Sequence, residues 1–135
     1  MNWKLIFQLS IFGLIMAFGT VSLIPQDVEV AFWLFIFAFC AAVIARACNS
    51  KYFLHGFFTG LVNCVWITIV HCFFFQKYIA DHKKIDTMTT YLPASFDIHP
   101  RLGMALVGLG PGIISALVFG LFAFAASKMI SKKPV

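Results

Sequence analysis

The chain has 135 residues, of which 61% are hydrophobic and only 11% are charged, and its formal net charge is +5. This composition lies outside the range of soluble domains and predicts an integral membrane protein. The basic residues form no continuous stripe, and neither a zinc-finger spacing nor an aromatic recognition motif accompanies them. Nucleic acid is therefore not a predicted partner.

Four apolar runs are each long enough to cross a hydrocarbon core of about 30 Å. They cover residues 5–24, 30–47, 53–75 and 102–126, with a longer outer loop over residues 76–101. The runs are continuous rather than alternating, and a spanning sheet would need many more strands to close into a barrel, so strands are disfavoured. We predict an all-α fold, a single domain over residues 1–135 that forms a four-helix transmembrane bundle of two helical hairpins.

The first run follows the residues MNWK, where a signal peptide would begin. Its apolar part is longer than the roughly 7 to 15 residues of a signal-peptide core, so we expect it to remain as a spanning helix. The turn PQDVEV is too short for structure of its own, which predicts that the first two helices form an antiparallel hairpin. The stretch RACNSKY predicts the same for the second and third helices, with Ser50 as the N-cap.

Small side chains recur at every fourth position in the third and fourth runs. The two small-residue ridges are Gly56, Gly60, Cys64, Thr68 and Cys72 in the third run, and Gly108, Gly112, Ala116 and Gly120 in the fourth. Such ridges let two helix backbones approach closely, and this packing drives helix association in lipid. Two interpretations stay open: the ridges pack on each other within one subunit, or one of them forms a contact between subunits.

The middle of the third and fourth runs carries a polar site. Asn63 lies about midway across the membrane by helix rise, at the same depth as the stretch GLGPG, which contains Gly110, Pro111 and Gly112. Pro111 leaves the carbonyl of Val107 without its helical partner. Interrupted helices at the midplane are typical of substrate sites in transporters. The structural alternative is that Asn63 donates a hydrogen bond to the Val107 carbonyl.

The outer loop and its flanks supply candidate metal ligands. Asp97 and His99 are close in sequence, and His71 lies near the same face of the membrane. The alternative is a solvated surface in which the acids pair with the loop's lysines and arginine. No cofactor is predicted.

The remaining polar side chains favour structural roles. The four cysteines show no C-x-x-C spacing and are predicted to be small packing residues. His55 is predicted to reach the membrane interface. Ser115 and His71 are a conceivable nucleophile and base, but they lie at different depths along their helices.

Basic residues next to the helix ends predict the orientation. One side holds Lys4, Arg46, Lys51, Lys128, Lys132 and Lys133, and the other holds Lys77, Lys83, Lys84 and Arg101. All the acids lie on the second side, so we expect both termini in the cytoplasm and a multi-pass protein of the cell membrane. The basic face is suited to contact anionic lipid.

The predicted function is that of a transport component, or of an accessory or scaffold subunit of a membrane complex. Four helices enclose little space, so we expect a homo-oligomer or a complex with other membrane proteins. An intramembrane enzyme or a metal-handling membrane protein is the alternative.

Overall fold

A computed structural model describes residues 1–81 and 99–130, and within these ranges every regular element is a helix. The helices are α1 (Trp3–Ser22), α2 (Gln26–Ala47), α3 (Tyr52–Phe73), α4 (Phe75–Asp81) and α5 (Pro100–Met129). Apart from the short α4, each is long and apolar enough to cross a membrane. The predicted all-α fold is confirmed for the described residues, with four helices long and apolar enough to cross a membrane.

The start of α2 differs from the prediction by about one turn. The helix begins at Gln26, directly after the extended N-cap Pro25, rather than at Val30. Asp27 and Glu29 lie in its first turn, where negative side chains interact favourably with the helix dipole. Glu29 is therefore part of the spanning helix and not of a connecting turn.

The ends of α3 and α5 also differ from the prediction. The N-cap of α3 is Lys51, in a left-handed backbone conformation with φ 57°, so the prediction that Ser50 caps this helix was wrong. The helix ends at Phe73, and α4 begins two residues later. The last helix begins at Pro100, in the first turn, where backbone N–H groups have no helical acceptor and the missing N–H of proline costs no hydrogen bond. The helix continues through Pro111.

The packing order of the spanning helices follows the chain only in part. The most extensive contact is between α3 and α5, which confirms the interpretation that the two small-residue ridges pack on each other within one subunit. Helix α1 packs mainly on α3 and α2 mainly on α5. Short connections join α1 to α2 and α2 to α3, but these pairs touch much less than packed hairpins would. Small residues explain the preference, because a Cβ added at Gly60 would lie only 2.6 Å from Ala116 Cα.

We call the end of the bundle that holds Trp3 and Met129 the terminal end, and the end that holds Ser22 and Pro100 the distal end. Near the terminal end, side chains of α1, α2 and α5 form a tightly packed core: Leu9, Phe37, Cys40, Ala41, Ile44, Cys48, Phe119 and Ala123. The rings of Phe37 and Phe119 stack at 4.6 Å between centroids.

Large apolar side chains remain exposed on every spanning helix, for example Ile15, Phe35, Val65 and Ile114. Such a surface is unfavourable in water and suits hydrocarbon. The bundle therefore has the surface of a membrane protein as well as the helix lengths.

His55 does not extend to the interface as the sequence predicted. It is buried near the start of α3, where its Nε2 accepts a hydrogen bond from the Asn2 N–H at 2.9 Å. Because Nε2 accepts, Nδ1 carries the proton, and it donates to the Lys51 carbonyl at 2.8 Å. The imidazole thus ties the beginning of the chain to the beginning of α3.

Candidate functional site

The distance between helices α3 and α5 increases toward the distal end of the bundle. A Cβ at Gly56 would lie 2.7 Å from the Phe119 carbonyl oxygen, and a Cβ at Gly112 would overlap the Cys64 sulfur. A Cβ at Gly108 would have Thr68 Oγ1 as its nearest neighbour, at 3.9 Å. The close packing of the terminal half therefore gives way to space between the helices.

That space is a cavity of about 260 Å³ between α2, α3, α4 and α5, which we call the distal cavity. Its polar and sulfur-containing lining residues are Glu29, Asn63, Cys64, Thr68, His71, Cys72, Tyr78 and Ser115. The apolar part of its wall includes Trp33, Phe37, Ile67, Met104, Ala105, Val107 and Pro111. A mainly apolar wall with a few polar groups is typical of small-molecule binding sites.

Asn63 is the most unusual side chain in this wall. It is 3% exposed, and neither its Oδ1 nor its Nδ2 has a hydrogen-bond partner among the described residues. The amide lies against α1, where Gly13 makes room for it, since a Cβ at Gly13 would overlap the amide oxygen. The predicted hydrogen bond to the Val107 carbonyl is absent, and that prediction was wrong.

An amide that is buried without a partner carries a desolvation penalty of about 1–3 kcal/mol. Native structures usually satisfy such a group with a bound molecule or an ordered water, provided that the site is roomy enough. Asn63 contributes to the wall of the distal cavity, but its amide atoms are buried and lie on the side of α3 that faces Gly13 of α1. The unsatisfied amide is therefore a buried feature of the α1–α3 contact next to the cavity.

His71 lies near the distal end of α3 and is only 7% exposed. A hydrogen bond joins its Nε2 to Thr20 Oγ1 on α1 at 2.9 Å, and its ring stacks on Tyr78 with centroids 3.9 Å apart. These contacts link α1, α3 and α4 at the distal end. Ser115 lines the same cavity but forms no hydrogen bond with His71, so this conceivable pair of nucleophile and base is not assembled.

The three predicted metal ligands are not brought together by the described structure. His71 faces Thr20, and His99 is exposed at the N-cap of α5. Asp97 lies outside the described residues. Within the ranges 1–81 and 99–130, no group of three or more His, Cys, Asp or Glu side chains is arranged to hold a metal ion.

Glu29 is the site residue that the sequence analysis missed. It lines the cavity, is half-buried, and accepts a hydrogen bond from Trp33 Nε1 at 3.1 Å. Burial raises the pKa of Tyr78 well above its ordinary value, and the nearby Glu29 carboxylate raises it further. The sequence feature that could have identified Glu29 is its position four residues before Trp33, which places both side chains on one helix face.

The structure places the predicted midplane residues in two different environments. Asn63, Pro111 and Gly112 all line the distal cavity, whereas Gly110 is exposed and a Cβ there would meet nothing within 4 Å. Among the small residues of the ridges, Gly56, Gly60, Ala116 and Gly120 lie in the α3–α5 contact, and Gly108 borders the cavity.

Chemically, the distal cavity combines apolar walls, aromatic rings, hydroxyl groups and a carboxylate. This combination can bind and orient a small molecule. No protein-family model, no curated protein and no solved structure matches this chain. The functional assignment therefore depends on the chemistry of the cavity.

Proposed function

We propose that this chain is a transport component that binds a small, mainly apolar molecule in the distal cavity, inside the membrane. The observation that carries the proposal is the distal cavity itself, a space of about 260 Å³ whose mainly apolar wall contains Trp33, Tyr78 and the Glu29 carboxylate. A mainly apolar cavity with a few polar groups is the usual form of a small-molecule site.

The position of the cavity supports transport. Asn63 lies near the middle of α3, and Pro111 removes one backbone hydrogen-bond donor near the middle of α5, which otherwise continues as one helix. Transporters commonly place their substrate near the midplane, beside helices whose backbone hydrogen bonding is incomplete. A scaffold role has less support, because the ridge positions Gly56, Gly60 and Gly120 are occupied by contacts within the chain.

A single copy of the chain contains a binding site, but its described helices enclose no continuous path for a solute. The terminal half of the bundle is filled by the packed core around Ile44 and Phe119. We therefore include a second copy of the chain in the proposal, with surrounding lipid. Native mass spectrometry from lipid nanodiscs is expected to give the mass of a dimer. A monomeric mass combined with solute flux in liposomes would contradict this part of the proposal.

Quenching of Trp33 fluorescence tests binding directly, because Trp33 lines the cavity. The variant Trp3→Phe/Trp66→Phe leaves Trp33 as the sole tryptophan of the three in the chain. The probes are para-bromobenzyltrimethylammonium and its neutral carbon isostere para-bromoneopentylbenzene, since bromine quenches tryptophan on contact. We expect at least one probe to quench saturably in nanodiscs, with reversal by the same compound lacking bromine.

A matched pair of variants on α5 separates cavity binding from partition into lipid. Ala105 lines the cavity and Ala125 is exposed away from it. Ala105→Phe is expected to fill the space and abolish saturable quenching, whereas Ala125→Phe leaves it unchanged. If the quenching saturates with neither probe, the proposed function is overturned.

We also propose that both termini face the cytoplasm, which the asymmetry of the basic residues supports. After the four native cysteines are replaced by alanine, a cysteine on a short N-terminal or C-terminal extension is expected to resist an impermeant thiol reagent outside intact cells. A cysteine at position 90 is expected to react. Labelling of the termini together with protection of position 90 would reverse the orientation.

A further inference from the structure

We infer that the molecule bound in the distal cavity is an organic monocation, held by the Glu29 carboxylate and the aromatic rings of Trp33, Phe37 and Tyr78. This inference rests on the proposed function, because it names the ligand class of the same site. All four side chains line the distal cavity. Three aromatic rings and a carboxylate form the kind of wall that recognises a substituted ammonium group.

The charged groups of the cavity wall favour a cation. Among the described residues that line the cavity there is one carboxylate, that of Glu29, and there is no lysine or arginine. The carboxylate accepts a hydrogen bond from the neutral indole N–H of Trp33 at 3.1 Å. A half-buried negative charge next to apolar walls is stabilised by a positive charge that enters the same space.

The aromatic rings favour an organic cation over a metal ion. Trp33 and Phe37 are neighbours on α2, with ring centroids 5.8 Å apart, and Tyr78 approaches from α4. Aromatic faces attract ammonium groups, whereas Ca²⁺ and Mg²⁺ need about six oxygen ligands. Five lining side chains carry oxygen, but they are spread over four helices, only Glu29 is a carboxylate, and the wall is mainly apolar.

The remaining length of the cavity suits the rest of such a ligand. The lining residues of α3 run from Gly60 to Cys72, so the space extends from the distal end toward the middle of the bundle. Glu29 lies at the distal end of this space and Asn63 near its inner end. An ammonium group beside Glu29 would leave the apolar remainder against Ile67 and Val107.

The experiment uses the same Trp33 reporter and the same two probes, which match in shape and differ in charge. Para-bromobenzyltrimethylammonium is expected to bind at least about tenfold more tightly than para-bromoneopentylbenzene, since both the carboxylate and the rings attract the cation. Glu29→Gln keeps an oxygen that accepts from Trp33 but removes the charge. This variant is expected to lower the affinity for the cation by about tenfold and to leave the affinity for the neutral probe unchanged.

Asp27→Asn provides the matched control. Asp27 lies in the same first turn of α2 but is exposed and does not line the cavity. The variant removes an equal charge from the same helix end, so a general electrostatic effect of the surface would lower the affinity for the cation equally in both variants. We expect Asp27→Asn to bind the cation as the parent protein does.

The outcomes distinguish the two proposals. Saturable binding of both probes with equal affinity, or an unchanged preference in Glu29→Gln, would overturn the cation assignment and leave the proposed function standing. An equal loss of affinity for the cationic probe in Glu29→Gln and Asp27→Asn would also overturn the cation assignment. If neither probe quenches saturably, both proposals fail.

Discussion

Gly60→Leu is expected to destabilise the bundle by about 2 kcal/mol or more, because the new side chain would have to occupy a close backbone contact between α3 and α5. A Cβ at position 60 would already lie 2.6 Å from the Cα and 2.9 Å from the Cβ of Ala116. The first of these atoms belongs to the backbone, so a rotamer change cannot relieve the overlap. The helices must move apart, and their contact loses dispersion energy along its length.

The measurement is thermal unfolding in detergent, followed by circular dichroism, with Gly60→Ala as a smaller step. Gly110→Leu is the matched control, since Gly110 is exposed on α5 and a Cβ there would meet nothing within 4 Å. We expect the unfolding temperature to fall in the order Gly110→Leu, Gly60→Ala, Gly60→Leu. Equal stability of Gly60→Ala and the parent would show that the helices do not touch at this point.

Asn63→Leu is expected to preserve or raise the stability of the ligand-free protein, by up to about 1–3 kcal/mol. The reason is that the amide has no hydrogen-bond partner among the described residues, so the substitution removes a desolvation penalty without breaking a bond. Leucine has nearly the same shape as asparagine. The absence of a Cβ at Gly13 leaves the space in which either side chain lies.

Thr20→Val provides the comparison for Asn63→Leu, because the buried Thr20 hydroxyl does have partners. Thr20 Oγ1 is joined to His71 Nε2 at 2.9 Å and donates to the Met16 carbonyl at 3.0 Å. Valine keeps the shape and removes the bond to His71, which is expected to destabilise the protein by about 0.6–2 kcal/mol. Destabilisation of a similar size by Asn63→Leu would mean that the amide has a structural partner.

The sequence by itself determined the class of the protein and the number of spanning helices. Both depend on local properties, namely the length of each apolar run and the charged or proline-containing residues between runs. The four predicted runs correspond to α1, α2, α3 and α5. Their ends were less certain, as at Gln26, because charged residues in the first turn of a helix resemble those of a connecting loop.

The tertiary structure decided which residues share the cavity. Asn63 faces Gly13 on α1 rather than Val107 on α5, His71 bonds to Thr20, and Glu29 joins Trp33 in the cavity wall. Each of these contacts depends on how a helix is rotated about its axis. In a soluble protein the apolar stripe of a helix indicates that rotation, but a spanning helix is apolar on all sides and carries no such stripe. The small-residue ridges did indicate the facing sides of α3 and α5, where two backbones meet, whereas the sides that α1 and α2 turn toward them were decided only by packing.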